Sequence, residues 1–153
     1  MKITCDYCGK EIEIGNQSGL VEWEIKFDDL GRKIITNVGI YHKNVDGHIC
    51  DMRRDSAWRD LDEMTGKDGI YSWLDILDPK YNHGENNKDA QFTTIDLSVI
   101  ETMLRCLCAG YDEARHYALR YGKEELGLSV EPIITRENIK NILKYAKKTG
   151  LNN

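Results

Sequence analysis

The sequence predicts an α+β fold in which a metal-stapled β-hairpin lobe precedes a mainly helical part. Three observations support this prediction. A Cys-x-x-Cys pair lies within the first ten residues, two segments of alternating apolar and polar residues follow it, and the last 60 residues carry apolar side chains at helical spacing. We divide the 153 residues into a metal-stapled lobe with two short helices at 1–78, a polar linker at 79–93 and a lobe of about three helices at 94–153.

The most specific motif of the chain is the pair formed by Cys5 and Cys8. Two residues separate these cysteines, and Gly9 and Lys10 follow them. A tight turn with this spacing lets both sulfurs face one metal ion, and the glycine supplies the backbone freedom that the turn requires. The motif therefore predicts a zinc knuckle.

A β-hairpin is predicted next to the knuckle. Between residues 21 and 28 apolar side chains alternate with charged ones, which is the period of a strand with one buried face. Residues 28–31 form a turn, and a second strand runs from about residue 33 to His42. The residues expected inward on the first strand are Val21, Trp23, Ile25 and Phe27, and those on the second are Val38, Ile40 and His42.

A structural zinc site needs four ligands, so two more are required. Cys50 is the third candidate, because it is the only other cysteine near the hairpin and thiolate is the better structural ligand. His42 is preferred as the fourth, because it lies at a strand end on the inner face. His48 stays open as the alternative, although it is only two residues from Cys50. Such a closed Cys3His set favours a structural rather than a catalytic role.

Two short helices are predicted before the polar linker. The first is capped by Ser56 or Asp55 and ends at Gly66, and the second is capped by Asp68 and ends before Pro79. The inward residues of the first helix are Trp58, Leu61 and Met64. The apolar stripe of the second is Ile70, Trp73, Leu74 and Leu77.

Three further helices are predicted after the linker. Ser98 and Glu101 form a capping box for the first, which ends at Gly110, while Asp112 and Thr135 cap the second and third. The three apolar stripes are Leu97, Ile100, Leu104 and Leu107; Ala114, Tyr117, Ala118 and Tyr121; and Ile139, Ile142, Leu143 and Ala146.

The charge distribution indicates the kind of partner. The chain has a formal net charge of −5, and residues 51–78 hold eight acids against four bases. An acidic chain argues against general duplex-DNA binding and suits a partner with a basic surface. A cluster of acids is the candidate contact face, with a solvated helix surface as the alternative. Its members are Asp60, Asp62, Glu63 and Asp75.

The remaining candidate residues are expected to have ordinary structural or surface roles. Cys106 and Cys108 point in different directions on a helix and are expected to be core or boundary thiols. His83 and His116 are expected at the surface. Four lysines are expected on the solvated face of the last helix, with a nucleic-acid contact as the alternative: Lys140, Lys144, Lys147 and Lys148.

No catalytic constellation is visible in the sequence. It lacks a Gly-rich phosphate loop, a nucleophile elbow and a His-Glu-x-x-His motif. A zinc knuckle followed by a ββα unit also occurs in His-Asn-His nucleases, which need a His or Asn in that helix. The helix predicted here offers Trp58, Arg59, Asp60 and Leu61 instead, so its residues disfavour a nuclease.

The cysteine count and the N-terminus indicate a cellular compartment. Five cysteines are present, no signal peptide is visible, and no stretch approaches the ~20 apolar residues of a membrane span. These features predict a reducing cytoplasm, where a Cys-x-x-Cys pair is a metal site rather than a disulfide.

Several segments taken together resemble a known family. These are CDYCGK at 5–10, the Trp-bearing hairpin, GIYHK at 39–43, the cysteine that follows, WRDLDEM at 58–64 and GIYSWLDIL at 69–77. They resemble the zinc-containing anti-CRISPR inhibitors of type II-A Cas9 from streptococcal prophages.

The resemblance implies a function that the residues alone do not. The protein would not be an enzyme. It would bind Cas9 in the cytoplasm of the host bacterium and block loading or cleavage of target DNA, without contacting nucleic acid or membrane itself. Zinc would be held by Cys5, Cys8, His42 and Cys50. The alternatives are a zinc-finger nucleic-acid-binding regulator of a prophage and a His-Asn-His-like nuclease.

Overall fold

A computed structural model describes residues 2–43, 50, 56–78, 93–126 and 136–150. Within these residues the chain forms two small sheets and five helices, which confirms the predicted α+β class. The strands are β1 (Ile3–Thr4), β2 (Glu11–Ile12), β3 (Gly19–Phe27), β4 (Lys33–His42), β5 (Ala57–Asp60) and β6 (Thr94–Ile95). The helices are α1 (Leu61–Met64), α2 (Gly69–Leu77), α3 (Leu97–Leu107), α4 (Tyr111–Glu125) and α5 (Arg136–Thr149).

The two sheets differ in size and in position along the chain. Strands β1 and β2 pair antiparallel, with Ile3 opposite Ile12, and both of these side chains are buried. The larger sheet has the order β5-β3-β4-β6, in which only β6 runs parallel to its neighbour. The small two-stranded sheet brackets the Cys-x-x-Cys turn, and the N–H of Asp6 in that turn donates to the carbonyl of Ile40 in the larger sheet at 2.8 Å.

The predicted hairpin is confirmed as β3 and β4, joined by the turn at 28–31. Asp28 organises this turn, because its Oδ1 accepts hydrogen bonds from the backbone N–H groups of Leu30 at 2.9 Å and Arg32 at 2.8 Å. Gly31 adopts a φ of 75°, a left-handed conformation in which a side chain would be strained.

A β-bulge interrupts the hairpin near the point where the buried part of β3 ends. The register shifts between Glu22 and Glu24, and Asn37 of β4 takes a φ of 52° there. Asparagine tolerates this conformation better than most residues, and its side chain donates to Glu24 at 2.9 Å. The prediction of a single buried face was therefore only half right. Beyond the bulge, Ile25 and Phe27 are exposed.

Residues 57–60 form a strand, and the prediction of a helix there was wrong. Strand β5 pairs antiparallel with β3, with Ala57 opposite Trp23 and Arg59 opposite Val21. The open edge of β3 supplies backbone partners that outweigh the helical spacing of the sequence. Trp58 is consequently 54% exposed rather than inward, whereas Leu61 and Met64 of the short helix α1 are buried as expected.

Helix α2 has the expected bounds but a shifted inner face. Trp73 is 1% exposed, and its indole Nε1–H donates to the carbonyl of Met64 at 3.1 Å. Ile76 is also buried, whereas Ile70 is exposed. Asp68 precedes the helix, but its side chain makes no capping hydrogen bond.

Helix α3 shows the largest departure from the predicted pattern. Its N-cap is Asp96, which accepts a hydrogen bond from the backbone N–H of Ser98 at 3.1 Å, so the predicted Ser98 cap was wrong. Leu97 is 77% exposed, and Ile100 and Leu104 are also exposed. The buried residues are instead Val99, Thr102, Arg105 and Cys106. Two of these are polar, which is why apolar spacing assigned the wrong face to the core.

Helices α4 and α5 pack against each other with the predicted faces. The predicted stripes of both helices contribute to this second core. Its buried members are Ala114, Tyr117, Leu126, Ile142 and Ala146, with Ala118, Tyr121, Ile139 and Leu143 packed around them. The predicted cap of α4 was wrong, because Asp112 is buried and bonds to other elements.

The first core joins the sheets to one of the C-terminal helices. Val99 and Cys106 of α3 are buried among residues of β1, β3 and β4, such as Ile3, Val21 and Ile40. The linker predicted at 79–93 lies outside the described residues except for Thr93, so the division into lobes stays a prediction.

Candidate metal centre

Four predicted ligands converge at one place. Cys5 and Cys8 come from the turn between β1 and β2, His42 from the last position of β4, and Cys50 from the chain beyond it. The donor atoms of these four residues all lie within 4.8 Å of one another. The structure therefore brings together residues that are up to 45 positions apart in the sequence.

The distances from His42 to two of the sulfurs match those around a tetrahedral ion. Nδ1 of His42 is 3.4 Å from Sγ of Cys8 and 3.8 Å from Sγ of Cys50. A tetrahedral zinc bound at ~2.3 Å to sulfur and ~2.0 Å to nitrogen holds those two atoms about 3.5 Å apart. These two nitrogen–sulfur distances are therefore close to those of a tetrahedral zinc site.

Backbone hydrogen bonds shape the turn that carries the first two cysteines. The N–H of Cys5 donates to the carbonyl of Lys10 at 2.9 Å, and the N–H of Gly9 donates to the carbonyl of Cys5 at 2.9 Å. Gly9 has a φ of 70°, and nothing lies within 4 Å of the position of an added Cβ. The glycine is therefore required by backbone conformation rather than by lack of space.

The orientation of His42 leaves the correct nitrogen for a metal. Its Nε2 lies 3.2 Å from the carbonyl oxygen of Glu11, so the tautomer with a proton on Nε2 donates to that oxygen. The lone pair on Nδ1 is then free to face the sulfurs of Cys8 and Cys50. Metal-ligating histidines commonly fix their tautomer through such an outer hydrogen bond.

Electrostatics explain why the cluster suits a cation. Burial, together with the neighbouring Cys8 and Cys5 thiols, raises the pKa of Cys50 to about 12. Burial also opposes ionisation of Cys8, but hydrogen bonds involving Lys10, Cys5 and Cys50 lower its pKa below the ordinary value. Three thiolates at this separation repel one another, so a bound cation is what allows them to ionise together.

The donor set is closed by protein atoms. Three sulfurs and one imidazole nitrogen complete a tetrahedron, and Cys5, His42 and Cys50 are buried. A set of this kind is typical of structural zinc sites, because catalytic sites leave one position for water or substrate. The cluster can hold a metal ion and is compatible with zinc. His48 lies outside the described residues.

Three of the four acids of the predicted contact face take part in contacts within the chain. Asp60 forms an ion pair with Lys43, and Asp75 forms one with Arg59. Asp62 accepts hydrogen bonds from the backbone N–H groups of residues 15 and 17 at 2.9 and 2.8 Å. Glu63 is exposed. Their role toward a partner stays a prediction.

An ionic network beside the metal centre was missed by the sequence analysis. Arg105 of α3 is 3% exposed and donates to Asp6 at 2.8 and 2.9 Å, to Asp112, and to the carbonyl of Thr4 at 2.9 Å. Burial would lower the pKa of Arg105, but Asp6 and Asp112 raise it above its ordinary value. The sequence signal that could have indicated the burial of Arg105 is its helical spacing from Val99 and Thr102, which are small or apolar.

The other chemistry-bearing candidates are dispersed. Cys106 is buried, and burial raises its pKa to about 12, which agrees with a core thiol. Cys108 is half-buried and His116 is exposed, while His83 lies outside the described residues. The four lysines of α5 are exposed.

The helix that a His-Asn-His nuclease would need after the hairpin is not formed at residues 57–60, because these residues form strand β5.

Comparison with known proteins found no similar chain. No protein-family description matches the sequence, and searches of curated proteins and of solved structures returned no match. None of the helices in the described part of the chain has the length and apolar character needed to cross a bilayer.

Proposed function

We propose that the chain binds one zinc ion through Cys5, Cys8, His42 and Cys50, and that this ion has a structural role. The observation that carries the proposal is the convergence of three sulfurs and one nitrogen within 4.8 Å. The metal content of protein purified without added zinc tests it. About one equivalent of zinc is expected, and substitution with Co²⁺ should give the absorption bands of a tetrahedral thiolate site.

Cysteine variants connect the metal to this cluster. Cys8→Ser should lose the metal, whereas Cys108→Ser should retain it, because Cys108 is also incompletely buried but is not one of the four donors. Equal metal content in the two variants would remove the cluster as the binding site.

We further propose that the protein acts by binding a partner, and that the partner is a type II-A Cas9. The closed donor set supports a binding role, since it leaves no metal position for a reacting group. The named partner rests on the family resemblance given above. Cas9 holds its heteroduplex in a positively charged channel, and a chain with a net charge of −5 complements such a surface.

The test is a mixing experiment. Purified protein is combined with guide-loaded type II-A Cas9 on a sizing column, and target DNA is added afterwards. Comigration together with loss of DNA binding or cleavage is expected. Absence of comigration would reject this partner. Salt-sensitive binding of duplex DNA by the protein alone would instead favour a nucleic-acid-binding role through the exposed lysines of α5.

The contact face is tested with charge-neutral variants. Glu63 is the most informative position, because it is exposed, whereas Asp60 and Asp75 also hold ion pairs within the chain. Glu63→Gln should weaken the complex and slow its formation, more strongly at low salt. Glu137→Gln is the matched control, since Glu137 is exposed in the first turn of α5. Equal effects of the two variants would exclude Glu63 from the contact face, and an unchanged complex after neutralising all four acids would exclude the face.

A further inference from the structure

We propose that Arg105 is a positioning residue that couples the metal centre to helices α3 and α4. It belongs to α3, yet three of its four hydrogen bonds are to Asp6 in the metal-binding turn and to Thr4 in the strand before it. The inference rests on the proposed metal site, because it concerns what metal binding does to the rest of the chain.

The first half of the coupling runs through Asp6, which lies between the two ligands of the turn. Both carboxylate oxygens of Asp6 accept from Nη1 of Arg105, at 2.8 and 2.9 Å. Oδ2 also accepts from the backbone N–H of Ile40 at 2.8 Å, and the N–H of Asp6 donates to the carbonyl of Ile40 at 2.8 Å. The turn is thus held on α3 and on β4 at once, two residues before His42.

The second half of the coupling runs through Thr4, the residue that precedes Cys5. Nη2 of Arg105 donates to the Thr4 carbonyl at 2.9 Å. Asp112 of α4 accepts from the backbone N–H of Thr4 at 2.9 Å and from its hydroxyl at 3.1 Å, and Asp112 also pairs with Nε of Arg105. The guanidinium therefore joins α3, α4 and the chain on both sides of Cys5.

Burial makes this network depend on its geometry. The side chains of Arg105 and Asp112 are 3% and 2% exposed. A buried charge is stable only when its partners are in place, so the guanidinium favours the one conformation of the turn that presents Asp6 and the Thr4 carbonyl. A metal bound to Cys5 and Cys8 selects that same conformation. Metal binding and helix docking then stabilise each other, and this effect is reciprocal.

The test compares two arginines that both connect α3 with α4. Arg105→Met removes the contact to the turn. Arg115→Met is the matched control, because Arg115 of α4 pairs with Glu101 of α3, and within the described residues no hydrogen bond or ion pair joins it to residues 4–8. The affinity of each metal-free protein for Zn²⁺ is measured by competition with a chromogenic chelator.

We expect Arg105→Met to weaken Zn²⁺ affinity by about 10–100-fold, the range found when residues outside the ligand set are removed. Arg115→Met should change it by less than about 3-fold. The rise in melting temperature on adding Zn²⁺ should be smaller in Arg105→Met than in wild type and unchanged in Arg115→Met. A purely structural role for Arg105 would lower the melting temperature with and without metal equally, and that result would overturn the proposal.

A second variant covers the case in which Arg105→Met does not fold. Asp6→Asn removes the charge at the other end of the contact, and the Asp6 side chain is partly exposed. It should also weaken Zn²⁺ binding, and wild-type affinity in this variant would reject the coupling. If wild-type protein binds no metal, the proposed metal site fails. If wild type binds Zn²⁺ and Asp6→Asn binds it equally well, only the coupling fails.

Discussion

Nδ1 of His42 lies 3.4 Å from Sγ of Cys8, although 34 residues separate them in the sequence. The contact exists because β4 runs antiparallel to β3, so that the end of β4 lies beside the β1–β2 turn. Asp6 then bonds to the backbone of Ile40, which holds the turn beside the end of β4. One side chain of the turn thus places the cysteines opposite the histidine.

Removal of the metal should destabilise the protein. Because the ligands come from segments that are distant in sequence, the ion cross-links the small sheet to the end of β4. With free zinc about 1,000-fold above Kd, binding contributes about 4 kcal/mol to the free energy of unfolding. For a chain of this size that corresponds to roughly 10 °C in melting temperature.

Calorimetry before and after treatment with a chelator measures this change. Cys8→Ser provides the control, because a chelator should not alter the melting temperature of a variant that has already lost a ligand. A melting temperature of the wild type that is insensitive to chelation would contradict a structural metal.

The two candidate histidines can be separated by substitution. His42→Ala should abolish tight zinc binding, because Nδ1 of His42 faces the sulfurs while Nε2 is within reach of the Glu11 carbonyl. His48→Ala should retain one equivalent of zinc. Metal analysis of both variants distinguishes them, and retention in His42→Ala with loss in His48→Ala would make His48 the ligand.

The elements that the sequence predicted correctly are those with local signals. The Cys5–Cys8 turn has a spacing that few other structures require, and α5 follows a plain period of 3.6 residues. The hairpin was found from its turn signal at 28–31, although burial along β3 does not keep to a period of two. His42 was preferred over His48 on its position at a strand end, and the structure places its ring at the cluster.

The elements that were missed depend on distant partners. Strand β5 forms because β3 has an open edge, and no property of residues 57–60 alone indicates that edge. The inner face of α3 was wrong because Arg105 is buried by pairing with Asp6 and Asp112, which lie 99 and 7 residues away. The bulge at Asn37 depends on a hydrogen bond to Glu24 across the sheet.

Two tryptophans provide a test of the β5 assignment. Trp73 is 1% exposed and bonds to the Met64 carbonyl, so Trp73→Ala should lower the free energy of unfolding by about 3–5 kcal/mol. Trp58 is 54% exposed, and Nζ of Lys43 lies 5.8 Å from the centroid of its ring, in a cation–π contact. Trp58→Ala should therefore cost less than about 1 kcal/mol.

Urea unfolding of both variants at the same pH measures the two losses in the free energy of unfolding. Comparable losses in Trp58→Ala and Trp73→Ala would mean that Trp58 is inward, as a helix at 57–60 would place it. A small loss in Trp58→Ala supports the strand.

The carboxylate of Asp96 should make stability depend on pH in the acid range. Burial alone would raise the pKa of Asp96, but hydrogen bonds from Ser98, Thr36 and the backbone of Asn37 lower it below its ordinary value. A lowered folded-state pKa gives stability that is present above the unfolded pKa of ~3.9 and is lost as the pH falls through the folded pKa.

Asp96→Asn retains a capping oxygen and removes the charge, so it should lower the free energy of unfolding by about 1 kcal/mol at pH 7 and by progressively less below about pH 4. Urea unfolding between pH 7 and pH 3 measures this difference, with the exposed Asp29→Asn as the control. A cost for Asp96→Asn that is independent of pH would show that the hydrogen-bonding shape of Asp96, and not its charge, stabilises the start of α3.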